Sequence, residues 1–263
     1  MADVLRGIWV VAYRELLRFV QERSRLFSSF AMPLIFLVIF GAGFGKLIGS
    51  MVPGVDYIQF MYPGIIAMTV LMSSVMSAIS IVWDREFGFL KEILVSPLGR
   101  SGIILGKAVG GAAVAVLQGI VMLILAPILG VSLSFTMVIG LVLVIIIVSM
   151  SLSGLGLLVA SRMKSQQGFQ VVIQLIIMPL IFLAGVFYPV NNVPAWMEFI
   201  SKVNPLTYGV DAIRQLFLGS EGAVTLGVTV FGHTMTILED VLVVAAFGIV
   251  LLLLAILSFS KQE

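Results

Sequence analysis

The chain has 263 residues, of which 60% are hydrophobic and only 11% are charged, and its formal net charge is +2. Average globular proteins carry about 25% charged residues, so this composition excludes a soluble protein whose surface faces water on all sides. Cysteine is absent, which excludes disulfides, thiolate nucleophiles and thiolate metal sites.

The first 26 residues are predicted to form an amphipathic helix at the cytoplasmic face of a membrane. In a helical projection one side carries Leu5, Ile8, Trp9, Ala12, Leu16 and Phe19. The other side carries Arg14, Arg18, Gln21 and Arg25, flanked by Glu15 and Glu22. These acidic residues, and the lack of a long apolar run before Phe27, distinguish the segment from a cleavable signal. Such a helix anchors the first span, and a further contact with a cytoplasmic partner stays open.

Beyond this segment, five long stretches contain no charged side chain, and each can cross a bilayer, which needs about 20 apolar residues per helix. They are Leu26–Gly45, Tyr57–Trp83, Ala108–Ser161, Ser165–Met197 and Val241–Ser260. The third stretch is long enough for two crossings, with a break at the turn-forming Gly130–Phe135 and a bend favoured by Pro127. We therefore predict an all-α polytopic membrane protein that forms a single transmembrane domain over residues 1–263.

Six helical spans are predicted within a core of residues 27–259. They are Phe27–Ile48, Met61–Trp83, Ile103–Leu129, Met137–Ser161, Gly168–Phe187 and Val241–Phe259. With these spans, all but three of the 15 Lys and Arg residues fall on one side, the exceptions being Lys46, Lys202 and Arg214. Because positive charge accumulates in cytoplasmic loops, both termini are predicted to be cytoplasmic. The protein itself is predicted to lie in the plasma (inner) membrane.

The charge-free stretches lack the ionisable groups that proton or sodium coupling needs, which disfavours ion-driven transport. Gly41–Lys46 only superficially resembles a phosphate-binding loop, since it lacks the first glycine and the Ser or Thr after lysine. The most polar side chains in or near the spans, Gln118, Gln170 and Gln174, are interpreted as interhelical hydrogen bonds rather than substrate contacts. We expect no cofactor, metal or catalytic residue in this chain, which is not predicted to be an enzyme.

The connection between the second and third spans, residues 84–98, is predicted to contain a short helix. Phe87, Leu90 and Leu94 share one face by their i, i+3, i+7 spacing, and Ser96–Pro97 ends the helix. Charges of both signs surround this face: Asp84, Arg85, Glu86, Lys91 and Glu92. The helix suits either docking into a groove of a soluble partner or a position among lipid head groups, and its spacing does not separate the two.

The segment between the fifth and last spans, residues 188–239, is too apolar for a free loop. We predict short helices that dip partly into the outer leaflet, bounded by Pro189, Pro194 and Pro205 and buried against the spans. Asp211 and Arg214 are three residues apart and could pair across one helical turn. Two roles are open for this segment: it closes the outer face of the protein structurally, or it contacts the substrate directly.

Two blocks of sequence resemble the membrane-spanning subunits of type 2 ATP-binding-cassette exporters. The first block is Asp84–Pro97, followed by Gly106–Lys107 at the third span. The second comprises Pro194–Trp196 and Asn204–Arg214. Their order and the six-span layout match over nearly the whole length. The chain is most similar to the drug-resistance and lipid-export branch, such as daunorubicin-type efflux permeases, and less similar to O-antigen polysaccharide exporters.

The resemblance implies a permease that pairs with a second, identical or paralogous copy and sits on two ATPase subunits, which bind ATP and magnesium. By position, the residues that would contact the ATPase are Arg14, Arg18, Asp84, Arg85, Glu86, Phe87, Leu90, Lys91, Glu92 and Leu94. The implied outer-gate residues are Tyr188, Pro189, Trp196, Asn204, Pro205, Tyr208, Asp211 and Arg214. Membrane lipids are further partners, and nucleic acid is not expected.

The expected cargo is amphipathic or hydrophobic, such as a drug or a lipid, moved out of the cytoplasm or the inner leaflet. A polysaccharide cargo would predict a path lined by aromatic rings on which sugars stack, whereas the aromatic residues here are mainly 18 Phe, with only 5 Tyr and 3 Trp. Alternatives are a polysaccharide or lipid-linked glycan exporter of the same family, and a non-transporting scaffold that recruits a soluble partner. An autonomous channel is a third alternative.

Overall fold

A computed structural model of the chain describes residues 2–49, 57–88, 100–129, 133–230 and 232–260. Its helices are α1 (Ala2–Gln21), α2 (Arg23–Gly49), α3 (Tyr57–Ser77), α4 (Ile79–Glu86), α5 (Arg100–Leu125), α6 (Phe135–Arg162), α7 (Gln166–Phe182), α8 (Ala195–Val203), α9 (Pro205–Leu226) and α10 (Ile237–Ser260). Short 3₁₀ helices cover Ala126–Leu129 and Val190–Asn192. In the described part of the chain, strand structure is limited to an antiparallel hairpin of β1 (Thr229–Val230) and β2 (His233–Thr234), which pairs Thr229 with Thr234. The predicted all-α fold is confirmed.

Among the described residues, four helical segments are long and apolar enough to cross a membrane. They are Tyr57–Glu86, Gly102–Leu125, Phe135–Arg162 and Ile237–Ser260. Two shorter apolar helices cover Phe27–Gly43 and Gln166–Phe182. The chain is therefore a multi-pass membrane protein, while the count of six spans stays a prediction.

The long charge-free stretch divides where the sequence predicts. Helix α5 ends at Leu125, and the following 3₁₀ turn contains Pro127. Helix α6 then begins under a side-chain cap, because the Ser134 Oγ accepts a hydrogen bond from the Met137 N–H at 3.2 Å. Capping of this kind satisfies one of the free N–H groups at a helix start. Pro127 and Ser134 thus mark the end of one apolar helix and the start of the next.

Helix α3 occupies the centre of the bundle and packs against α2, α5, α6 and α9. Around it, glycines allow helices to approach closely, as is common in membrane bundles. A Cβ on Gly156 of α6 would lie 2.9 Å from the Val75 Cα of α3, and a Cβ on Gly248 of α10 would lie 2.7 Å from the Ser151 Cα of α6. The Ser151 hydroxyl also donates to the Val244 carbonyl at 2.8 Å. The α6–α10 pair is therefore joined by both backbone contact and a hydrogen bond.

Helix α1 packs along α5, while its position at the membrane interface stays a prediction. Ala12, Glu15 and Phe19 are buried, whereas Trp9 on the predicted apolar side is 69% exposed. The prediction that Glu15 borders the water-facing side is wrong. Gly110 of α5 lets the two helices approach closely, since a Cβ there would lie 2.9 Å from the Glu15 Cβ. The buried Glu15 carboxylate is compensated by the Lys107 ammonium of α5.

The described part of the outer segment contains the 3₁₀ turn Val190–Asn192, the short helix α8 and the longer, kinked α9, so the prediction of short helices is only partly correct. Helix α9 is interrupted by a kink at Gly219, where φ is +70° and the backbone is not helical, so it consists of two helical parts. Its first half is buried against α3, α6 and α10, as the apolar sequence predicts. Since neighbouring helices cover this half on several sides, it can continue as a regular helix. A position partly within the outer leaflet stays a prediction.

Candidate functional site

Three consecutive residues at the end of α4 each bind a different helix. Asp84 faces α5, Arg85 reaches the end of α6, and Glu86 reaches the start of α7. The chain turns away immediately afterwards, at Gly88, where φ is +82°. The contacts of these three side chains define a site at the predicted cytoplasmic ends of the helices.

Asp84 belongs to a buried ion-pair cluster centred on Lys107 of α5. The Lys107 Nζ lies 3.2 Å from the Asp84 Oδ2 and 3.4 Å from the Glu15 Oε1, and it donates to the Ser80 Oγ at 2.7 Å. Lys107 is only 1% exposed. An ammonium group has three N–H donors, so these three acceptors satisfy it completely. The Arg14 Nη2 lies at the edge, 3.7 Å from Asp84, with its side chain 41% exposed.

Arg85 binds the carboxyl end of α6. Its Nη1 donates to the Ser161 carbonyl at 3.0 Å, to the Ala160 carbonyl at 3.3 Å and to the Met163 carbonyl. The last carbonyls of a helix have no partner within the helix and carry partial negative charge. The guanidinium therefore closes this helix end and joins it to α4.

Glu86 binds the amino end of α7. Its Oε2 accepts a hydrogen bond from the Gln166 N–H at 3.0 Å, a position where the helix dipole favours a carboxylate. The Ser165 Oγ caps the same end by accepting from the Gly168 N–H at 3.2 Å. Phe87 points outward, 62% exposed, with its ring edge-to-face against Trp83 at 6.1 Å between centroids.

We refer to Glu15, Asp84, Arg85, Glu86 and Lys107 as the cytoplasmic junction. It joins α1, α4, α5, α6 and α7 through charged contacts. The sequence pointed to Asp84, Arg85 and Glu86 but missed Glu15 and Lys107. Lys107 belongs to the first of the two resembling blocks and lies within the predicted third span, and that position was the available signal.

The other predicted ATPase-contacting residues have different placements. Arg18 lies exposed on α1, and Arg14 is partly exposed beside the junction. Leu90, Lys91, Glu92 and Leu94 lie outside the described residues. Among the predicted ATPase-contacting side chains that the structure describes, Phe87 is 62% exposed and Arg18 is also exposed, whereas Asp84 is only 6% exposed and offers very little surface.

A second polar cluster joins α9, the hairpin region and α10 at the opposite end. The Gln215 Nε2 donates to the Asp240 Oδ2 at 2.9 Å, to the Met235 carbonyl at 3.0 Å and to the Asp211 Oδ2 at 3.2 Å. Asp211 also accepts from the Val228 N–H at 2.9 Å. The sequence predicted Asp211 here but missed Gln215 and Asp240, which lies inside α10, just before the predicted last span.

Arg214 belongs to the same region, but the predicted direct ion pair with Asp211 is wrong. The Arg214 Nη2 instead donates to the Gly185 carbonyl at 2.6 Å, and its guanidinium lies 4.2 Å from the centre of the Phe60 ring. Gly185 has a φ of +72° and turns its carbonyl towards α9, while Asp211 turns towards Val228 on another side. Burial raises the pKa of the Asp211 carboxyl and lowers the pKa of the Arg214 guanidinium to about 10.

The remaining outer-gate candidates organise the turns around α8 and α9. Asn204 donates to the Leu180 carbonyl at 2.8 Å and accepts from the Leu206 N–H at 3.0 Å, directly before Pro205 opens α9. The Tyr208 hydroxyl donates to the Lys202 carbonyl at 2.6 Å. Three further candidates lie outside this turn. Tyr188 donates to the Phe182 carbonyl, Pro189 precedes a 3₁₀ turn, and Trp196 is 62% exposed on α8.

Within the described ranges, no group of three or more His, Asp or Glu side chains could hold a metal ion. Instead, titratable groups meet as ion pairs in the junction. In the outer polar cluster, two carboxylates are joined by hydrogen bonds from Gln215. Their contacts position helices.

A comparison with protein families identifies the chain. The family model described as "ABC-2 type transporter" matches residues 6–218, which is most of the sequence. The chain belongs to the ABC-2 type transporter family. The matched region of this ABC-2 permease contains the whole cytoplasmic junction and Asp211, Arg214 and Gln215 of the outer cluster, whereas α10 lies beyond it.

Curated relatives of the ABC-2 permease are named as transport proteins or by their biological role. Nodulation protein J of Rhizobium meliloti (strain 1021) is 30% identical over 204 residues, which cover 75% of each chain. A transport permease named ycf38 from Cyanophora paradoxa is 29% identical over 218 residues, 81% of this chain and 74% of that protein. YbhR of Escherichia coli (strain K12), whose name describes a multidrug ABC transporter permease, is 34% identical over 176 residues, 63% of this chain and 45% of that protein.

Proposed function

We propose that this ABC-2 permease is the membrane subunit of an ATP-driven exporter for an amphipathic or hydrophobic cargo, such as a drug or a lipid. Two permease copies, identical or paralogous, would sit in the plasma membrane with both termini in the cytoplasm. A separate ATPase subunit would bind ATP and magnesium and supply the mechanical work. The observation that carries the proposal is the cytoplasmic junction.

The junction can spread a displacement of α4 over much of the bundle. A protein bound to the segment after Glu86 would push or pull the end of α4. Asp84 would carry that movement to α1 and α5, Arg85 to α6, and Glu86 to α7. Charge-assisted hydrogen bonds such as these are stronger than neutral ones, so the helices would move together rather than separate.

The exposed residues beside the junction supply a surface for that protein. Phe87 and Trp83 present an aromatic pair that is 62% and 47% exposed, and aromatic side chains are frequent anchors of protein interfaces. Arg18 adds an accessible cation on α1. The cargo class is supported by the apolar character of the bundle and by the name of the relative YbhR, which describes that protein as a multidrug transporter permease.

The test reconstitutes the chain with the proposed ATPase subunit and separates association of the two proteins from coupling between them. Phe87→Ala is expected to weaken ATPase association, because it removes the exposed anchor. Glu86→Gln is expected to preserve association but to lower cargo-stimulated ATP hydrolysis several-fold, because the contact with α7 loses its charge. Glu198→Gln makes the same chemical change on α8, outside the junction, and is the matched control. It should change neither ATPase association nor cargo-stimulated ATP hydrolysis. Unchanged association in Phe87→Ala together with unchanged stimulation in Glu86→Gln would contradict the proposal.

A non-transporting scaffold is the second candidate, and the exposed Phe87 favours it as much as it favours an exporter. A scaffold would bind a soluble partner through the same aromatic pair without moving cargo. Cargo flux in sealed vesicles distinguishes the two functions, because an exporter accumulates cargo with ATP and a scaffold does not.

A further inference from the structure

A cavity of 260 Å³ lies among α1, α2, α3 and α5, and none of its lining residues belongs to either polar cluster. Four methionines form much of its wall: Met32, Met68, Met72 and Met76. Small-molecule sites commonly measure about 300–1,000 Å³, so the space is sufficient for the apolar part of a small ligand. Methionine is flexible and polarisable, which lets a pocket adapt to apolar groups of different shape.

Two buried polar atoms in the wall have no hydrogen-bond partner among the described residues. Gln118 is 3% exposed and Ser73 is 9% exposed, yet the Gln118 Oε1 and the Ser73 Oγ are both unpartnered. The prediction that Gln118 makes an interhelical hydrogen bond is therefore not met at its Oε1. Buried polar groups are nearly always satisfied, so these atoms mark a place for a hydrogen-bonding group of a ligand.

The cavity lies in the half of the bundle that faces the predicted cytoplasmic side. Its α3 residues come from the second half of that helix, towards the junction. Met76 also lines a neighbouring polar cavity of 500 Å³ that includes Arg18 and Glu22. On another side, Met32 is 57% exposed, so the wall reaches the bundle surface between helices. A molecule in the inner leaflet could approach from this direction.

We propose that this methionine-lined cavity binds the apolar body of an uncharged amphiphile whose hydroxyl or amine group hydrogen-bonds to Gln118 and Ser73. Its described lining contains no charged residue, which favours a neutral polar group because an unpaired charge would be costly here. That the bound amphiphile is the transported cargo rests on the exporter function proposed above. Binding itself requires no ATPase.

The test uses the full chain in lipid nanodiscs and two fluorescent probes, 1-aminoanthracene and anthracene. They share the apolar rings, but only the first carries a hydrogen-bonding amine. We expect saturable binding of both, and Gln118→Leu should weaken 1-aminoanthracene binding by about 3- to 10-fold, the loss of one hydrogen bond. Anthracene binding should be unchanged. Gln174→Leu, at an exposed position of α7, is the matched control and should affect neither probe.

A second variant tests the location. Val114 lines the cavity and is 5% exposed, so Val114→Phe should fill the space and abolish saturable binding of both probes. If that variant does not fold, Ser73→Cys places a single thiol in this cysteine-free chain, and 1-aminoanthracene should slow its reaction with a maleimide.

Binding no greater than in empty nanodiscs, or an equal loss of both probes in Gln118→Leu, would overturn the proposal. So would full binding in a folded Val114→Phe protein or unprotected labelling of Ser73→Cys. The exporter proposal fails separately, since it depends on Phe87 and Glu86 in the ATPase experiment. Probe binding with lost ATPase coupling, or the reverse, therefore identifies which proposal is wrong.

Discussion

Lys107 is a buried cation whose three acceptors come from α1 and α4. Replacing it by methionine would keep much of its volume but leave the carboxylates of Glu15 and Asp84 buried beside only the partly exposed Arg14. Removing one partner of a buried ion pair typically costs about 3–5 kcal/mol. We therefore expect Lys107→Met to lower the free energy of unfolding by about that amount, measured by denaturation of the purified protein in detergent.

Lys202 offers a matched comparison on α8. It pairs with Glu198 at 2.5 Å, but both side chains are partly exposed, at 26% and 32%. Because exposed ion pairs contribute roughly 0–1 kcal/mol, Lys202→Met should cost about 1 kcal/mol or less. Equal losses in the two variants would show that the buried cluster does not depend on its cation.

The partners of individual charges were the least predictable feature of the site. The sequence located Asp84, Arg85 and Glu86 as a group, because charges that interrupt an apolar pattern mark a helix end. It did not predict that Arg85 would bind carbonyls of α6, since that contact depends on which helix end lies beside α4. Asp211 and Arg214 show the same limit. Helical spacing permits their pairing, but Val228 and Gly185 provide other partners at positions that only the fold defines.

The contact between α1 and α5 depends on glycine. A Cβ on Gly110 would lie 2.9 Å from the Glu15 Cβ and 3.2 Å from the Ala12 Cα, so Gly110→Val must push α1 away. Since Glu15 is a partner of Lys107, the shift would also disturb the junction. Overpacking commonly costs about 1–3 kcal/mol, and we expect a loss of that size in thermal or chemical unfolding, together with reduced ATPase coupling.

Gly43 of α2 provides the control for this change. A Cβ there has no atom within 4 Å, so Gly43→Val should leave stability and ATPase coupling nearly unchanged. If Gly110→Val were as mild as Gly43→Val, close approach of α1 would not be needed for the junction.

The existence of the helices was more predictable than their surroundings. Charge-free runs and the turn at Pro127 predicted α5 and α6 as separate helices, because apolar length and helix-breaking residues are local properties. The burial of Glu15 and the length of α9 were not predicted. Both depend on neighbours, α5 in the first case and α3, α6 and α10 in the second, which become adjacent only in the folded bundle.

The junction and the outer cluster are connected through the centre of the bundle. The segment Tyr57–Glu86 carries Asp84, Arg85 and Glu86 at one end and Phe60, which lies beneath Arg214, near the other. Helix α3 also packs against α9 along part of this length. A displacement of α4 therefore has a direct physical route to the outer cluster, as an exporter that opens alternately on its two sides would require.

The orientation of this bundle can be measured because the chain contains no cysteine. Lys164, between α6 and α7, and His233, in the hairpin, are both exposed, and the charge distribution places them on opposite sides of the membrane. In intact cells, a membrane-impermeant maleimide should label His233→Cys but label Lys164→Cys only after permeabilisation. The reverse pattern would invert the topology, and it would turn the junction away from any cytoplasmic ATPase. Labelling of both variants in intact cells would place residues 164 and 233 on the same side of the membrane. That result would contradict the single predicted span, Gly168–Phe187, between them.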